Sequence, residues 1–133
     1  EEVFPVCSPA LVERGPPLEK PADLARHTLI HDSLHENWRM WLLAAGAPQV
    51  DATRGPGYYL SNLVVQAAVA GEGVALGRSV LVADELASGR LVKPFDVSLP
   101  VEFAYYVVSP RATKDRPKIK AFREWLLQEA GAP

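Results

Sequence analysis

The 133 residues carry 14 basic and 16 acidic side chains, a formal charge of −2, and 48% of them are hydrophobic. A chain of this length buries roughly two-thirds of its unfolded surface as one domain and needs no disulfide staples to do so. The charges are interspersed, so no basic stripe is present to neutralise a run of phosphates, and no apolar run reaches the ~18 residues of a membrane span.

Cys7 is the only cysteine, which excludes an internal disulfide and suits a reducing, cytoplasmic compartment. No charged n-region followed by an apolar h-region reads as a signal peptide. The chain opens Glu1-Glu2-Val3 without a methionine, as a piece of a longer protein would.

Val3-Phe4-Pro5-Val6-Cys7 predicts a strand ended by Ser8-Pro9. Pro16-Pro17 marks a loop, Pro21–Ala25 a brief helix with proline near its first turn, and Thr28–His31 a second strand. Ser33-Leu34-His35-Glu36 has the spacing of a capping box. The helix after it places Trp38, Trp41, Leu42 and Ala45 on one face and ends at Gly46. Gly57–Leu60 reads as a strand, and Ser61 or Asn62 caps a helix with Leu63, Val64, Ala67 and Ala68 as its apolar positions. Gly73–Gly77 is a short buried strand, and Val80–Ser88 a helix closed by Gly89. Phe103–Val108 is the strongest strand. In the last helix Pro117 sits near N1, and Ile119, Phe122, Trp125 and Leu126 form the stripe. Strands alternating with helices predict an α/β fold, with a mainly parallel sheet flanked by helices and ligands at the carboxyl ends of its strands.

His27, His31 and His35 are spaced by four, as are Asp32 and Glu36, which invites a metal reading. The middle histidine ends a strand, where four residues span about 13 Å, so solvated or capping histidines are expected and no metal. Cys7 lies in an apolar strand with no catalytic motif around it and reads as a core residue. No GxSxG, HExxH, Walker loop or GxGxxG occurs. Gly71-Glu72-Gly73 closes one helix and turns the chain into the next strand. Leu60-Ser61-Asn62 puts a hydroxyl and an amide at a strand-to-helix junction, where free amides favour an anion; a plain N-cap and a ligand contact are both open there. In each of the pairs Tyr58-Tyr59 and Tyr105-Tyr106, one ring faces each side of its strand.

Several stretches in order resemble the effector-binding domain of LysR-type transcriptional regulators. They are Pro21–Leu24 with His27–Ile30, Trp38–Gly46, Gln66–Arg78 and Leu86–Phe95, with Ala121–Leu126 near the end. Within that family the chain is similar to the group holding the glycine-cleavage activator and the β-lactamase regulator. The resemblance implies a type 2 periplasmic-binding-protein-like plan, two α/β lobes flanking a cleft. Residues 1–111 would supply the second lobe and 112–133 the crossover and helix that return to the first. The winged helix-turn-helix and most of lobe one would lie outside this chain.

The same resemblance implies a bacterial ligand sensor without catalysis or cofactor, which binds a small polar or anionic effector. Ser61 and Asn62 match a cleft-lining junction, although the family's related branch carries a hydroxyl where Asn62 stands. Tyr105 matches a cleft-facing tyrosine of that branch, and Asp32 and Ser33 are further wall residues. The helix at Leu63–Ala70 and the strand after it resemble elements used for self-association, as a homodimer or homotetramer. DNA would be met only through the winged helix-turn-helix. The alternatives are a lobe of a periplasmic solute-binding protein of a transporter, and an enzyme on the same two-lobed plan. The enzyme is opposed by the lack of any convergent acid–base or nucleophile set.

Overall fold

A computed structural model describes residues 1–33, 38–101 and 105–131. Backbone contacts divide the chain into two compact units, Glu1–Glu102 and Phe103–Pro133. The first unit holds β1 (Glu2–Val6), α1 (Pro9–Arg14), a 3-10 turn at Pro21–Arg26, β2 (Leu29–Asp32) and α2 (Trp38–Ala44). It continues with β3 (Gly57–Tyr58), α3 (Ser61–Val69), β4 (Val74–Arg78), α4 (Ser79–Ala87) and β5 (Leu99–Pro100). The second holds α5 (Pro117–Glu129).

The strands form one sheet in the order β3-β2-β4-β1-β5. β2 pairs parallel with β3, placing His31 opposite Gly57 and Asp32 opposite Tyr58, and parallel with β4, placing Ile30 opposite Ala75. α2 and α3 supply the crossovers that parallel neighbours require. β1 runs antiparallel to both β4 and β5. The sheet is therefore mixed, and the expected parallel pairing holds for its β3-β2-β4 half. Strand–helix alternation dictates direction only where sheet neighbours are also chain neighbours, and β1 pairs with strands far along the chain.

Two apolar clusters cover the two faces. Leu29, Val74, Cys7, Trp38, Trp41 and Phe95 pack on the α2 side, and Ile30, Ala75, Phe4, Val6, Val64 and Val82 on the α3–α4 side. β1 is buried from Val3 to Val6, with Phe4 and Val6 in the α3–α4 cluster and Cys7, just past its end, in the other, which is why the run is apolar without alternation. The two indoles of α2 are buried with their donors satisfied: Trp38 Nε1–H donates to the Ile30 carbonyl at 3.0 Å, and Trp41 Nε1–H to that of Val97 at 3.1 Å. Trp41 also meets Trp38 edge-on at 6.0 Å and Phe95 at 5.6 Å, so one ring ties α2 to a segment over fifty residues away.

Helix ends follow the sequence closely. Gly46 and Gly89 take φ 72°, a conformation that costs other residues a Cβ clash, and the next amides fold back, Ala47 to the Leu42 carbonyl and Arg90 to that of Glu85. α1 is an addition to the expected elements: the Ser8 hydroxyl accepts from the Leu11 amide and Pro9 occupies the first turn, so Ser-Pro starts a helix here as well as ending a strand. The brief helix at Pro21 is a 3-10 turn, and Asp23 accepts the Lys20 and Glu19 amides at 3.0 Å each, which holds its carboxyl below the usual range.

Three expectations are corrected. The Gly57–Leu60 strand pairs over Gly57–Tyr58 only. Neither Ser61 nor Asn62 caps α3: Leu60 holds the cap position without a side-chain bond, and Ser61 is already the first helical residue. Tyr105–Val108 has no regular secondary structure and is exposed, Tyr106 by 80% and Val108 by 88%. Strand propensity measures fit to a pleated, half-buried surface, and β-branched and aromatic residues do not make a strand without one. Phe103 and Ala104 of that expected strand, and Leu34 to Glu36 of the expected capping box, lie outside the described residues. α5 begins at Pro117 as expected, with none of its residues buried; Phe122 and Trp125 stack at 5.7 Å on its surface.

Candidate functional site

Because β2, β3 and β4 are parallel, their carboxyl ends open on one edge of the sheet. Asp32 is the last residue of β2. β3 ends at Tyr58 and passes through Tyr59 and Leu60 into α3. β4 runs straight from Arg78 into α4. The antiparallel β1 brings its start to the same edge, where the Arg78 guanidinium holds Glu1 in a two-pronged ion pair, Nε to Oε1 at 3.0 Å and Nη2 to Oε2 at 2.7 Å. The Glu2 amide donates to the Ser79 hydroxyl at 3.1 Å, which ties the first turn of α4 to β1.

Asp32 and Ser61 come together on this edge. The Ser61 hydroxyl donates to Asp32 Oδ2 at 2.5 Å, and both side chains are half-buried. The serine that was expected to cap its own helix instead serves the neighbouring strand, while the carboxylate lies at a helix start, where the dipole favours negative charge. The Ser61 hydroxyl has committed its proton to this bond.

The other candidates are dispersed. Asn62 is exposed in the first turn of α3. Tyr105 belongs to the second unit and is 74% exposed. Ser33 sits in the turn after β2 and is exposed. It lines a cavity of about 470 Å³ on the α2 side, together with His31, Arg39, Thr53 and Gly57. Thr53 spends its proton on Asp51, at 2.6 Å, which with the Thr53 amide lowers the Asp51 pKa. His31 and His27 are buried and serve loop carbonyls: His31 Nε2 lies 2.8 Å from the Arg54 oxygen and His27 Nε2 3.3 Å from that of Pro17. Cys7 is buried in the core, and burial pushes its thiol up to about 11. Sequence reasoning missed the Arg78–Glu1 pair and the Arg39–Thr53 cavity. Neither has a local signal, because their members meet only through the strand order.

A mixed sheet covered on both faces, with a polar pair at the carboxyl ends of its parallel strands, defines a fold of the α/β class. The chain belongs to the LysR substrate-binding domain family, whose model matches residues 1–131. It is 40% identical over 132 residues to the glycine cleavage system transcriptional activator of Escherichia coli, covering 99% of this chain and 43% of that protein. It is 30% identical over 125 residues to the transcriptional activator AmpR of Citrobacter koseri, covering 94% of this chain and 42% of that one. The effector domain of AmpR from Pseudomonas aeruginosa superposes with a TM-score of 0.72 at 29% identity, covering 98% of this chain and 61% of that structure. The chain thus spans less than half the length of these curated relatives. They are transcription regulators, and the transporter-lobe alternative is not supported. Among the described residues, no helix is long and apolar enough to cross a membrane.

Proposed function

We propose that this chain is the effector-sensing part of a bacterial, cytoplasmic transcription regulator without enzyme activity of its own. Residues 1–111 form the second lobe of the sensing domain and 112–133 return to the first. The whole protein contacts DNA through a winged helix-turn-helix and self-associates through its sensing domains. The reading rests on family membership together with the Asp32–Ser61 pair, which puts polar side chains where α/β sheets of this type take their ligands. Asp32, Ser61 and Asn62 contact the effector, as does Tyr105 by its match to the family's tyrosine. Ser33, which lines the α2-side cavity, is the weakest member of the set.

The effector is small and polar or anionic. The relative named for glycine cleavage makes glycine a sensible first probe. The test is calorimetric titration of the intact regulator with glycine and a panel of other small zwitterions and anions. Asp32→Asn and Ser61→Ala are expected to weaken the responding effector by roughly 5- to 150-fold, the range for losing one hydrogen-bond partner in a binding site. Full affinity in both variants and in Tyr105→Phe would place the effector elsewhere.

A further inference from the structure

At the amino ends of β2 and β4, the edge opposite Asp32 and Ser61, lies a second cavity of about 500 Å³. Its walls come from α1, the end of the Pro21–Arg26 turn, and the Gly71–Gly73 link between α3 and β4. Arg14, in the last turn of α1, and Arg26, in the last turn of the 3-10 segment, both line it. Neither is in an ion pair among the described residues.

His27 forms part of the same wall and is only 6% exposed. The Pro17 carbonyl, 3.3 Å from Nε2, can only accept, so Nε2 carries a proton. Nδ1 is left without a protein partner among the described residues. The cavity's one acid, Glu72, has its carboxylate tied to the Tyr58 hydroxyl at 2.8 Å. Two guanidinium forks against one tethered acid give the wall a surplus of hydrogen-bond donors and positive charge, while the His27 Nδ1 lone pair is an acceptor.

We propose that this cavity is a second ligand site, which takes the oxyanion group of a small phosphate- or carboxylate-bearing metabolite. Arg14 and Arg26 grip the oxyanion with paired N–H donors. The volume suits a compact metabolite. The site is independent of the effector contacts proposed above, because it occupies the other end of the parallel strands. If the arginines do no more than stabilise the carboxyl ends of their own helical turns, no such ligand binds.

The test is calorimetric titration of this 133-residue protein at constant ionic strength, with pyrophosphate and citrate as probes. At least one probe is expected to bind saturably. Arg14→Gln and Arg26→Gln should each weaken it by about tenfold or more, while Arg111→Gln changes it less than about twofold. Arg14 and Arg26 are both exposed, so their variants leave the core undisturbed. Saturation by pyrophosphate alone identifies a phosphoryl ligand, and saturation by citrate identifies a carboxylate. Lack of saturable binding by either probe, or undiminished binding by the Arg14→Gln/Arg26→Gln double variant, overturns the proposal.

Discussion

Asp32 and Ser61 stand 29 residues apart in the chain and meet at 2.5 Å, the last residue of one strand and the first of the helix that leaves its neighbour. The parallel register makes the meeting possible. Asp32 lies opposite Tyr58, and three further residues bring the chain to Ser61 at the start of α3. A hydroxyl bonded to a carboxylate is about twice as strong as a neutral pair, so this contact locks β2 to α3 as well as shaping the edge.

Ser61→Ala should therefore destabilise the fold by about 1–2 kcal/mol, because it strips one partner from a half-buried carboxylate. Were Ser61 merely an exposed first-turn residue, alanine would be neutral or stabilising by up to ~0.5 kcal/mol. Ser61→Thr keeps the hydroxyl and should stay near wild type. Urea midpoints of the three proteins decide the sign.

Gly73 and Gly46 should respond differently to a side chain. A Cβ at Gly73 would lie 2.3 Å from the Thr28 carbonyl oxygen, which accepts the Val74 amide between β2 and β4. Gly73→Ala is expected to cost about 1–3 kcal/mol or more, since backbone must move. Gly46 has φ 72° and open space around it, so Gly46→Asn should cost under about 1 kcal/mol, asparagine being tolerant of that conformation. Chemical denaturation of both variants checks the order.

Cys7 gives a pH signature. Burial raises its thiol from 9.0 to about 11, so the folded chain holds a proton that the unfolded chain releases between those values. Stability from this group is complete below pH 9 and is lost as pH rises toward 11, by roughly 2–3 kcal/mol. Melting curves from pH 8 to 11 should show the fall in wild type and a smaller one in Cys7→Ala. At pH 8 the native thiol should resist a disulfide reagent that reacts freely with the urea-unfolded chain.

The chain's local chemistry determined its elements. The indole stripe and Gly46 placed α2, Gly89 ended α4, Pro117 opened α5, and the apolar run Val3–Cys7 announced a strand. The ordered motif run also identified the family before any strand was paired. These signals are legible because helix periods, caps and proline act over a few residues. Tertiary structure alone decided the direction of β1, the fate of Tyr105–Val108 and the use of the Ser61 hydroxyl. A strand's direction and even its existence depend on which distant backbone offers hydrogen bonds, and propensity carries no record of that partner. Likewise Asp32 and Ser33 are adjacent in sequence, yet Asp32, at the end of β2, bonds the first residue of α3, while Ser33, in the turn that follows, lines the cavity beside α2.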